Sequence, residues 1–375
     1  RSILFVIQSL QQAKNLCDSC MNYCYIPMKI AIDGRSLLEK QWGGVSVYTS
    51  KMIHSIGKFA SSNADVRVFL SGKNISLPPN YTPPDNILFK QFNVPNKLLN
   101  LSSLVLNAPQ MDKLLFQSED ANITWLPNWN YTKTKSPYIL TVHDLSIIHH
   151  PEWYTKKQQL WHKAINLPML CKNAERIIAV SRYTAEDVVE TLKIPESKIS
   201  IIHEGVSRRY VPQENDQIRD KYNLPDKFIL VFGGGGKRKN LEIIPYIKNL
   251  VDIPVITTGT KELPYLPEKD KKAVLSMAWC LLYPSLFEGF GLPVLESMAS
   301  GTPVIASNAT SLPELVEDSG LLISPFQIKQ WADAINELNS DNDLYITLRL
   351  KGINRAKEFT WDNAAKKWWG VVAYS

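Results

Sequence analysis

Short apolar runs recur along the chain, separated by segments whose apolar residues fall three or four positions apart. The apolar runs predict buried strands. In the segments between the runs, apolar residues three or four positions apart predict one face of a helix. The predicted strands are Lys29–Asp33, Val66–Leu70, Tyr138–Val142, Arg176–Val180, Phe228–Phe232, Val255–Gly259, Trp279–Tyr283 and Leu321–Ile323. The helical spacing is plain at Val45, Tyr48, Met52, Ile56 and Phe59. Alternating strands and helices are typical of an α/β fold.

The size and composition of the chain favour two domains and disfavour several functional classes. A chain of 375 residues is expected to form two domains, and an apolar fraction of 45% is ample for two cores. The net charge of +6 is too mild to indicate a nucleic-acid-binding protein, but it suits phosphate-bearing substrates or an anionic membrane surface. No apolar run reaches the roughly 20 residues that a membrane-spanning helix needs.

The five cysteines are unevenly spaced, which argues against a disulfide framework and fits a reducing compartment. Cys17, Cys20 and Cys24 raise the question of a zinc site, but no second cysteine pair or histidine pair lies nearby. Residues 1–27 differ in pattern from the rest of the chain, so we predict a poorly ordered extension and a first domain that begins at Met28.

Three glycine turns each join a predicted strand to a predicted helix, at Gly43-Gly44, at residues 233–240 and at residues 289–291. Such a turn points backbone N–H groups and the positive end of a helix dipole at a crevice, which suits an anion. The second turn also carries Arg238 and Lys239. It fits neither common nucleotide motif, because Arg238 stands where a dinucleotide fingerprint needs glycine and a P-loop needs serine or threonine.

Two glutamates flank the third turn, Glu288 before it and Glu296 within the helix that is predicted from Pro293 to Ala299. A carboxylate beside an anion site is costly unless it meets hydroxyls or a developing positive charge. A nucleotide sugar offers a diphosphate, hydroxyls and a ring that becomes cationic as its bond breaks. The plainer alternative is an ordinary strand–helix unit whose glutamates lie on the surface.

The block from Pro284 to Glu296, with Tyr283 before it and Ser300–Ala306 after it, resembles a known signature. It is similar to the Glu-x7-Glu motif of the retaining GT-B glycosyltransferases in the large group 1 family of mannosyl- and glucosyltransferases. The resemblance implies two doubly wound, Rossmann-like α/β domains that face a cleft. The implied parts are an acceptor-side domain at 28–207, a shortened nucleotide-sugar domain at 208–358 and a helix at 359–375 that returns to the first domain.

The resemblance also implies roles for individual residues. Glu288 and His143 would be catalytic, and His143, at the end of a strand, would lie near the donor sugar; the alternative is a core histidine bonded to backbone. Arg238 and Lys239 would neutralise the donor diphosphate. The remaining implied donor-binding residues are Gly43, Gly44, Gly289, Phe290, Gly291, Leu292 and Glu296, the last on the nucleotide ribose.

The implied activity is metal-independent, retaining transfer of a mannose- or glucose-like hexose from a nucleotide diphosphate sugar to a saccharide acceptor, in polysaccharide or lipopolysaccharide biosynthesis. No cofactor or metal is expected, since cations and helix N-termini supply the positive charge. Asp341-Asn342-Asp343 spells the metal motif of another transferase fold, but its place between two helices predicts a capping loop. Two alternatives stay open: other sugar-nucleotide chemistry, such as epimerisation or phosphorolysis, and a catalytically weak binding relative.

The expected partners are the nucleotide-sugar donor and a saccharide or lipid-linked saccharide acceptor, with no nucleic acid. We expect a cytoplasmic chain that makes peripheral contact with the inner face of a membrane. The candidate surface is a long helical stretch from Pro151 to Cys171, because its tryptophans and lysines suit a membrane interface. A solvated helix with one packed face is the plainer alternative for this stretch.

Overall fold

The computed structural model describes residues 27–375 apart from 40, 62, 74, 75, 79, 80, 107, 118, 131, 132 and 235, and apart from the side chains of 97 and 103–105. The predicted extension therefore lies outside the described residues, except for residue 27. The three clustered cysteines at 17, 20 and 24 lie outside them as well.

The first half of the chain forms a seven-stranded parallel sheet in the order β3-β2-β1-β4-β5-β6-β7. The strands are β1 (Met28–Asp33), β2 (Ala64–Ser71), β3 (Leu88–Phe92), β4 (Ile123–Leu126), β5 (Tyr138–Val142), β6 (Arg176–Ala179) and β7 (Ile199–Ile201). The helices are α1 (Gly44–Phe59), α2 (Asn96–Leu106), α3 (Met111–Phe116), α4 (Ser146–His149), α5 (Lys156–Ile165), α6 (Leu167–Asn173) and α7 (Arg182–Leu192). The strand order reverses at β1, as in doubly wound folds.

The second half forms a five-stranded parallel sheet in the order β12-β11-β10-β8-β9. The strands are β8 (Ile229–Val231), β9 (Val255–Thr257), β10 (Cys280–Tyr283), β11 (Val304–Ser307) and β12 (Leu321–Ile323). The helices are α8 (Asp216–Tyr222), α9 (Ile244–Lys248), α10 (Glu268–Met277), α11 (Leu292–Ala299), α12 (Leu312–Val316), α13 (Ile328–Ser340), α14 (Asn342–Ala356) and α15 (Trp361–Ala373). The two parallel sheets with helices between their strands confirm the α/β class.

The central strands are apolar on both faces because helices cover both sides of each sheet. Within β1, Ile30, Ala31 and Ile32 are fully buried. The last helix, α15, packs against α1 of the first half. Its Trp368 is fully buried against Trp125, with ring centroids 5.3 Å apart. The end of the chain thus contributes to the core of the first half.

The prediction of one long helical stretch from Pro151 to Cys171 is wrong. The chain forms a short 3-10 turn and then α5 and α6, which are separated at Asn166. Asn166 adopts the left-handed conformation, with φ at 58°, and its side chain caps the next helix by accepting from the backbone N–H of Met169. Asparagine tolerates this conformation better than most residues, so it ends one helix and begins another.

The predicted capping role of residues 341–343 is confirmed for Asp341, which lies between α13 and α14, whereas Asn342 and Asp343 form the start of α14. The Asp341 carboxylate accepts a hydrogen bond of 2.9 Å from the backbone N–H of Leu344 at the start of α14. An aspartate in this position satisfies one of the free N–H groups of the first helical turn.

Candidate functional site

Two partly buried basic side chains surround a buried glutamate beside β8 and β10. The turn after β8, Gly236–Lys239, carries Arg238 and Lys239, and Glu288 follows β10. Lys239 Nζ donates to Glu288 Oε1 at 2.6 Å, and Arg238 Nη1 lies 3.3 Å from Oε2. The Tyr283 hydroxyl donates to Glu288 Oε1 at 3.1 Å and accepts from Lys239. We call these four residues the Glu288 cluster.

The charges of this cluster are strongly coupled. Glu288 is 6% exposed, and burial alone would raise its pKa, but the charges of Lys239 and Arg238 outweigh burial and lower the pKa to about 2. Burial lowers the pKa of Lys239, while Glu288 opposes that change. The nearby Glu288 charge raises the pKa of Arg238. Two basic groups thus face one carboxylate, so the cluster favours an added anion.

Two hydroxyl groups fix the backbone of Glu288 from both sides. Its N–H donates to Thr310 Oγ1 at 3.0 Å, and its carbonyl accepts from Ser311 Oγ at 2.9 Å. Thr310 has a φ of 52°, which is uncommon for a β-branched residue and costs conformational energy. Sequence reasoning missed both residues, because no local pattern shows that the loop after β11 reaches Glu288.

The predicted glycine turn begins where the two halves of the chain meet. A Cβ on Gly289 would lie 1.7 Å from the carbonyl oxygen of His143, so only glycine fits. Gly291 has a φ of 109°, a conformation that other residues rarely adopt. Phe290 and Leu292 are buried, and the Phe290 ring packs on His203 and Phe359. This turn supplies backbone shape beneath Glu288, and its predicted donor contacts stay predictions.

Gly43 and Gly44 lie at the start of α1 and are exposed. A Cβ on either residue would meet no described atom within 4 Å. Packing against the described residues therefore does not explain why glycine stands there. Open space beside a helix N-terminus agrees with the predicted approach of a ligand to the backbone, which remains a prediction.

His143 follows β5, and its ring contacts residues of the first half. Nε2 donates to the backbone carbonyl of Pro127 at 2.9 Å, and Nδ1 lies 3.3 Å from Glu204 Oε1. Tyr48 packs edge-on against the ring, with centroids 4.8 Å apart. These contacts agree with the alternative given for His143 in the sequence analysis, a core histidine bonded to backbone. Its role near the donor sugar stays a prediction. Nothing in the sequence pattern indicated Glu204 as its partner.

Glu296 lies in a second buried network, apart from the described bonds of the Glu288 cluster. Its carboxylate accepts from Lys271 Nζ at 2.9 Å, and Lys271 also lies 2.9 Å from Glu268. The Tyr210 hydroxyl donates to Glu268 at 2.8 Å. Burial raises the pKa of Glu296, although Lys271 opposes this change. Sequence reasoning missed Lys271 and Tyr210, and the predicted ribose contact of Glu296 stays a prediction.

Several contacts hold the two halves together around the Glu288 cluster. The Glu314 carboxylate accepts from the backbone N–H groups of Arg182 and Tyr183 at the start of α7, and also lies 2.7 Å from His203 Nε2. Phe287 is buried, and its ring centroid lies 5.8 Å from that of Tyr183. The ends of the two sheets are thereby held face to face.

Two negative observations apply to the part of the chain that the structure describes. No three side chains of the histidine, cysteine, aspartate and glutamate types are placed to hold a metal ion. None of the described helices has both the length and the apolar character that a bilayer crossing requires.

We predict that the Thr310 hydroxyl, and not its bulk, stabilises the turn. Thr310→Val keeps the shape but leaves the Glu288 N–H unpaired, which should lower the free energy of unfolding by about 1–3 kcal/mol. Thr310→Ser keeps the hydroxyl and should stay within about 0.5 kcal/mol of the wild type. Urea unfolding followed by circular dichroism measures both variants. An equal loss of stability in the two variants would contradict this role.

Comparison with known proteins identifies both halves of the chain. Residues 42–209 match the family model described as Glycosyltransferase Family 4, and residues 216–359 match the model described as Glycosyl transferases group 1. The two matched regions flank a short segment between the two sheets.

The curated relatives include mannosyltransferases. O-antigen chain mannosyltransferase B of Escherichia coli is 28% identical over 63% of this chain and 70% of the relative. Serotype-specific mannosyltransferase WbdA of Escherichia coli is 24% identical, and the match covers 60% of this chain but only 32% of WbdA. O-antigen chain mannosyltransferase RfbU of Salmonella typhimurium is 28% identical over 53% of this chain and 60% of its own length.

Solved structures share the fold along nearly the whole chain. Sucrose-phosphate synthase from Thermosynechococcus elongatus superposes with a TM-score of 0.73 at 18% identity, covering 93% of this chain and 100% of that one. WaaG, described as a glycosyltransferase involved in lipopolysaccharide biosynthesis, gives a TM-score of 0.65 at 14% identity, covering 90% of this chain and 98% of WaaG. With family models matching both halves, these findings show that the chain is a glycosyltransferase with the GT-B fold, whose second half matches group 1.

Proposed function

We propose that the chain is a retaining, metal-independent hexosyltransferase. It transfers a mannose- or glucose-like residue from a nucleotide diphosphate sugar to a saccharide acceptor, in polysaccharide or lipopolysaccharide synthesis. The observation that carries this proposal is the Glu288 cluster, in which two basic side chains face one buried carboxylate between β8 and β10.

The cations of the cluster suit a leaving diphosphate. Negative charge grows on that group as the glycosidic bond breaks, so fixed cations interact with it more strongly in the transition state than in the ground state. Arg238 and Lys239 are already ordered by Glu288 and Tyr283, which removes the cost of ordering them during the reaction. Their place at the carboxyl end of β8 is where ligands of α/β sheets bind.

The relatives support the choice of substrates. Three curated relatives are named as mannosyltransferases, and the names of two of these also specify the O-antigen chain. Anabaena Alr3699/HepE, with a TM-score of 0.66 at 15% identity over 92% of this chain and 99% of its own, was solved in complex with UDP and glucose. A nucleotide-sugar donor and a saccharide acceptor are therefore the substrates that we propose.

Each glutamate has a distinct proposed role. Glu288 contacts hydroxyls of the transferred sugar and stabilises the oxocarbenium-like state, while Glu296 binds the nucleotide ribose. The acceptor attacks from the side of the leaving group, so the sugar keeps its anomeric configuration without a covalent enzyme intermediate. His143 faces the same sugar from the first half, and Gly43, Gly44 and residues 289–292 contribute backbone around the donor.

We predict that the two glutamates differ in kinetics. Glu288→Gln should mainly lower kcat, because it weakens an interaction that strengthens in the transition state. Glu296→Gln should mainly raise the KM for the donor. The donor is first found by a thermal-shift screen of GDP-, UDP-, dTDP- and ADP-sugars, since a ligand that binds the native state raises its melting temperature.

The two glutamate variants serve as controls for each other, since each makes the same chemical change at a buried carboxylate of the second half. Retention is checked by NMR, which should show the same anomeric configuration in product and donor. Near-normal kcat in Glu288→Gln would place the site elsewhere, and an inverted product would refute the proposed stereochemistry.

We also predict that Lys239 acts in place of a metal. Lys239→Ala should lower kcat by about 100-fold or more, by analogy with the loss of a donor to a developing oxyanion. Lys351→Ala removes a lysine that forms a surface ion pair with Asp318 and should leave kcat unchanged. Treatment of the wild type with EDTA should have no effect. Activity that is lost with EDTA and restored by Mg²⁺ or Mn²⁺ would overturn metal independence.

The acceptor that we propose is a saccharide linked to a lipid, which brings the enzyme to the inner face of a membrane. On α5, Leu160 is 68% exposed and lies among the exposed lysines Lys156, Lys157 and Lys163. Such a surface combines apolar insertion with attraction to anionic lipids.

We predict that the wild type cosediments with anionic liposomes. Binding should weaken in the double variant Lys156→Glu/Lys157→Glu but not in the control Lys351→Glu. No sedimentation of the wild type would contradict membrane contact.

A further inference from the structure

The buried network around Glu296 contains a lysine to which the proposed reaction gives no role. Lys271 lies on α10 and Glu296 on α11, and these two helices pack against each other. Lys271 Nζ donates to Glu296 Oε1 at 2.9 Å, and the two side chains are 15% and 6% exposed. Lysine is rarely buried to this extent unless it is paired, so the position of Lys271 is tied to Glu296.

Lys271 is also held by the segment that joins the two sheets. Its Nζ lies 2.9 Å from Glu268 Oε2, one turn earlier on α10. Tyr210, between β7 and α8, donates its hydroxyl to Glu268 at 2.8 Å. The Lys271 ammonium lies 5.6 Å from the centroid of the Tyr210 ring, and Tyr210 is buried. The lysine is thus oriented by two carboxylates and one packed aromatic ring.

Lys271 is the charge that most favours the ionised form of Glu296. Burial lowers the pKa of Lys271, but the carboxylates of Glu296 and Glu268 outweigh burial and raise it, so the lysine stays a cation. Burial raises the pKa of Glu296, and Lys271 is the largest influence against that change, while Glu268 adds to it. Arg209, beside Tyr210 in the chain, and Lys51 on α1 also lie within electrostatic reach of the network.

An ionised and oriented carboxylate is the acceptor that ribose hydroxyls bind best. Each hydroxyl donates to a carboxylate oxygen, and such a bond is stronger when the acceptor is charged. A carboxyl group that has taken up a proton loses part of its capacity to accept. A side chain that is already held in place also avoids the entropy cost of being fixed on binding. Loss of Lys271 would remove both advantages from Glu296.

We propose that Lys271 is a positioning residue, which holds the Glu296 carboxylate charged and oriented for the ribose hydroxyls of the donor. This inference rests on the proposed function, since it explains how the ribose contact of Glu296 is maintained. Tyr210 has a supporting part, because it fixes Glu268 beside the lysine. A lysine that only stabilised the fold would affect every nucleotide alike, whereas this one acts through the ribose hydroxyls.

The test compares nucleoside diphosphates that carry ribose hydroxyls with analogues that lack them. GDP, UDP, dTDP and ADP are each paired with the 2′,3′-dideoxy form, and the Kd of both members is measured by isothermal titration calorimetry. The ratio of the two Kd values reports the ribose contact, because base and diphosphate are the same in both members.

The variants separate the charge of Lys271 from its bulk. Lys271→Met keeps the length of the side chain but removes the charge, and Lys271→Arg keeps the charge. Lys221→Met is the matched control, because Lys221 on α8 pairs at 2.6 Å with Asp270, another buried carboxylate, which lies on α10. The melting temperature shows whether each variant is folded, and Lys271→Gln takes the place of Lys271→Met if that variant does not fold.

In the wild type, the dideoxy analogue should bind about tenfold or more weakly than its parent, as expected for loss of hydrogen bonds to a charged group. In Lys271→Met this ratio should fall about threefold or more, because a protonated or misoriented carboxyl group accepts weaker bonds. The Kd of the dideoxy analogue should stay near that of the wild type. Lys271→Arg and Lys221→Met should keep the ratio. With the nucleotide sugar as substrate, Lys271→Met should raise the donor KM and leave kcat near that of the wild type.

Three results would overturn the inference, and they differ in what else they overturn. An unchanged ratio in the folded Lys271 variant without charge, including equal weakening of both nucleotides, refutes the role of Lys271 while the proposed function stands. A ratio that falls equally in Lys221→Met shows a general effect of lost ion pairs and also refutes it. A wild type that binds both members of every pair equally refutes the proposed ribose contact of Glu296, and one that binds no nucleotide refutes the proposed function; the inference falls in either case.

Discussion

The ion pair between Glu288 and its two basic neighbours is the interaction on which the site depends. Burying a carboxylate alone is strongly unfavourable, so Glu288 is held in place by Lys239 at 2.6 Å and Arg238 at 3.3 Å. The same bonds position the two cations. The glycine turn after β10 and the turn after β8 are thereby tied into one unit, which a backbone hydrogen bond from Leu286 to Arg238 reinforces.

Around this unit, the fold brings the two halves of the chain into contact. The turn at Gly289 touches the carbonyl of His143, and the Thr184 hydroxyl donates to the carbonyls of both residues. Glu314 binds the N-terminus of α7, where N–H groups favour a negative charge, and the pKa of Glu314 is lowered although burial opposes this. These contacts fix the position of the Glu288 cluster relative to the first half of the chain.

Much of the fold could be predicted from local patterns. The strands β5 at Tyr138–Val142 and β12 at Leu321–Ile323 have the predicted bounds, because the apolar runs that predict them are local features of the sequence. The strand, turn and helix around Glu288 were predicted for the same reason. The break at Asn166 was missed, since helical spacing continues across a single left-handed residue. Thr310, Lys271 and Glu204 were missed because their contacts join segments far apart in the chain.

A structure of the protein bound to its nucleotide sugar tests the central claim most directly. We expect diphosphate oxygens within hydrogen-bond distance, about 3 Å, of Lys239 Nζ and the Arg238 guanidinium. Glu288 should turn toward hydroxyls of the transferred sugar. A donor bound elsewhere, with the bonds from Lys239 and Arg238 to Glu288 unchanged, would contradict the assignment of this cluster as the site of transfer.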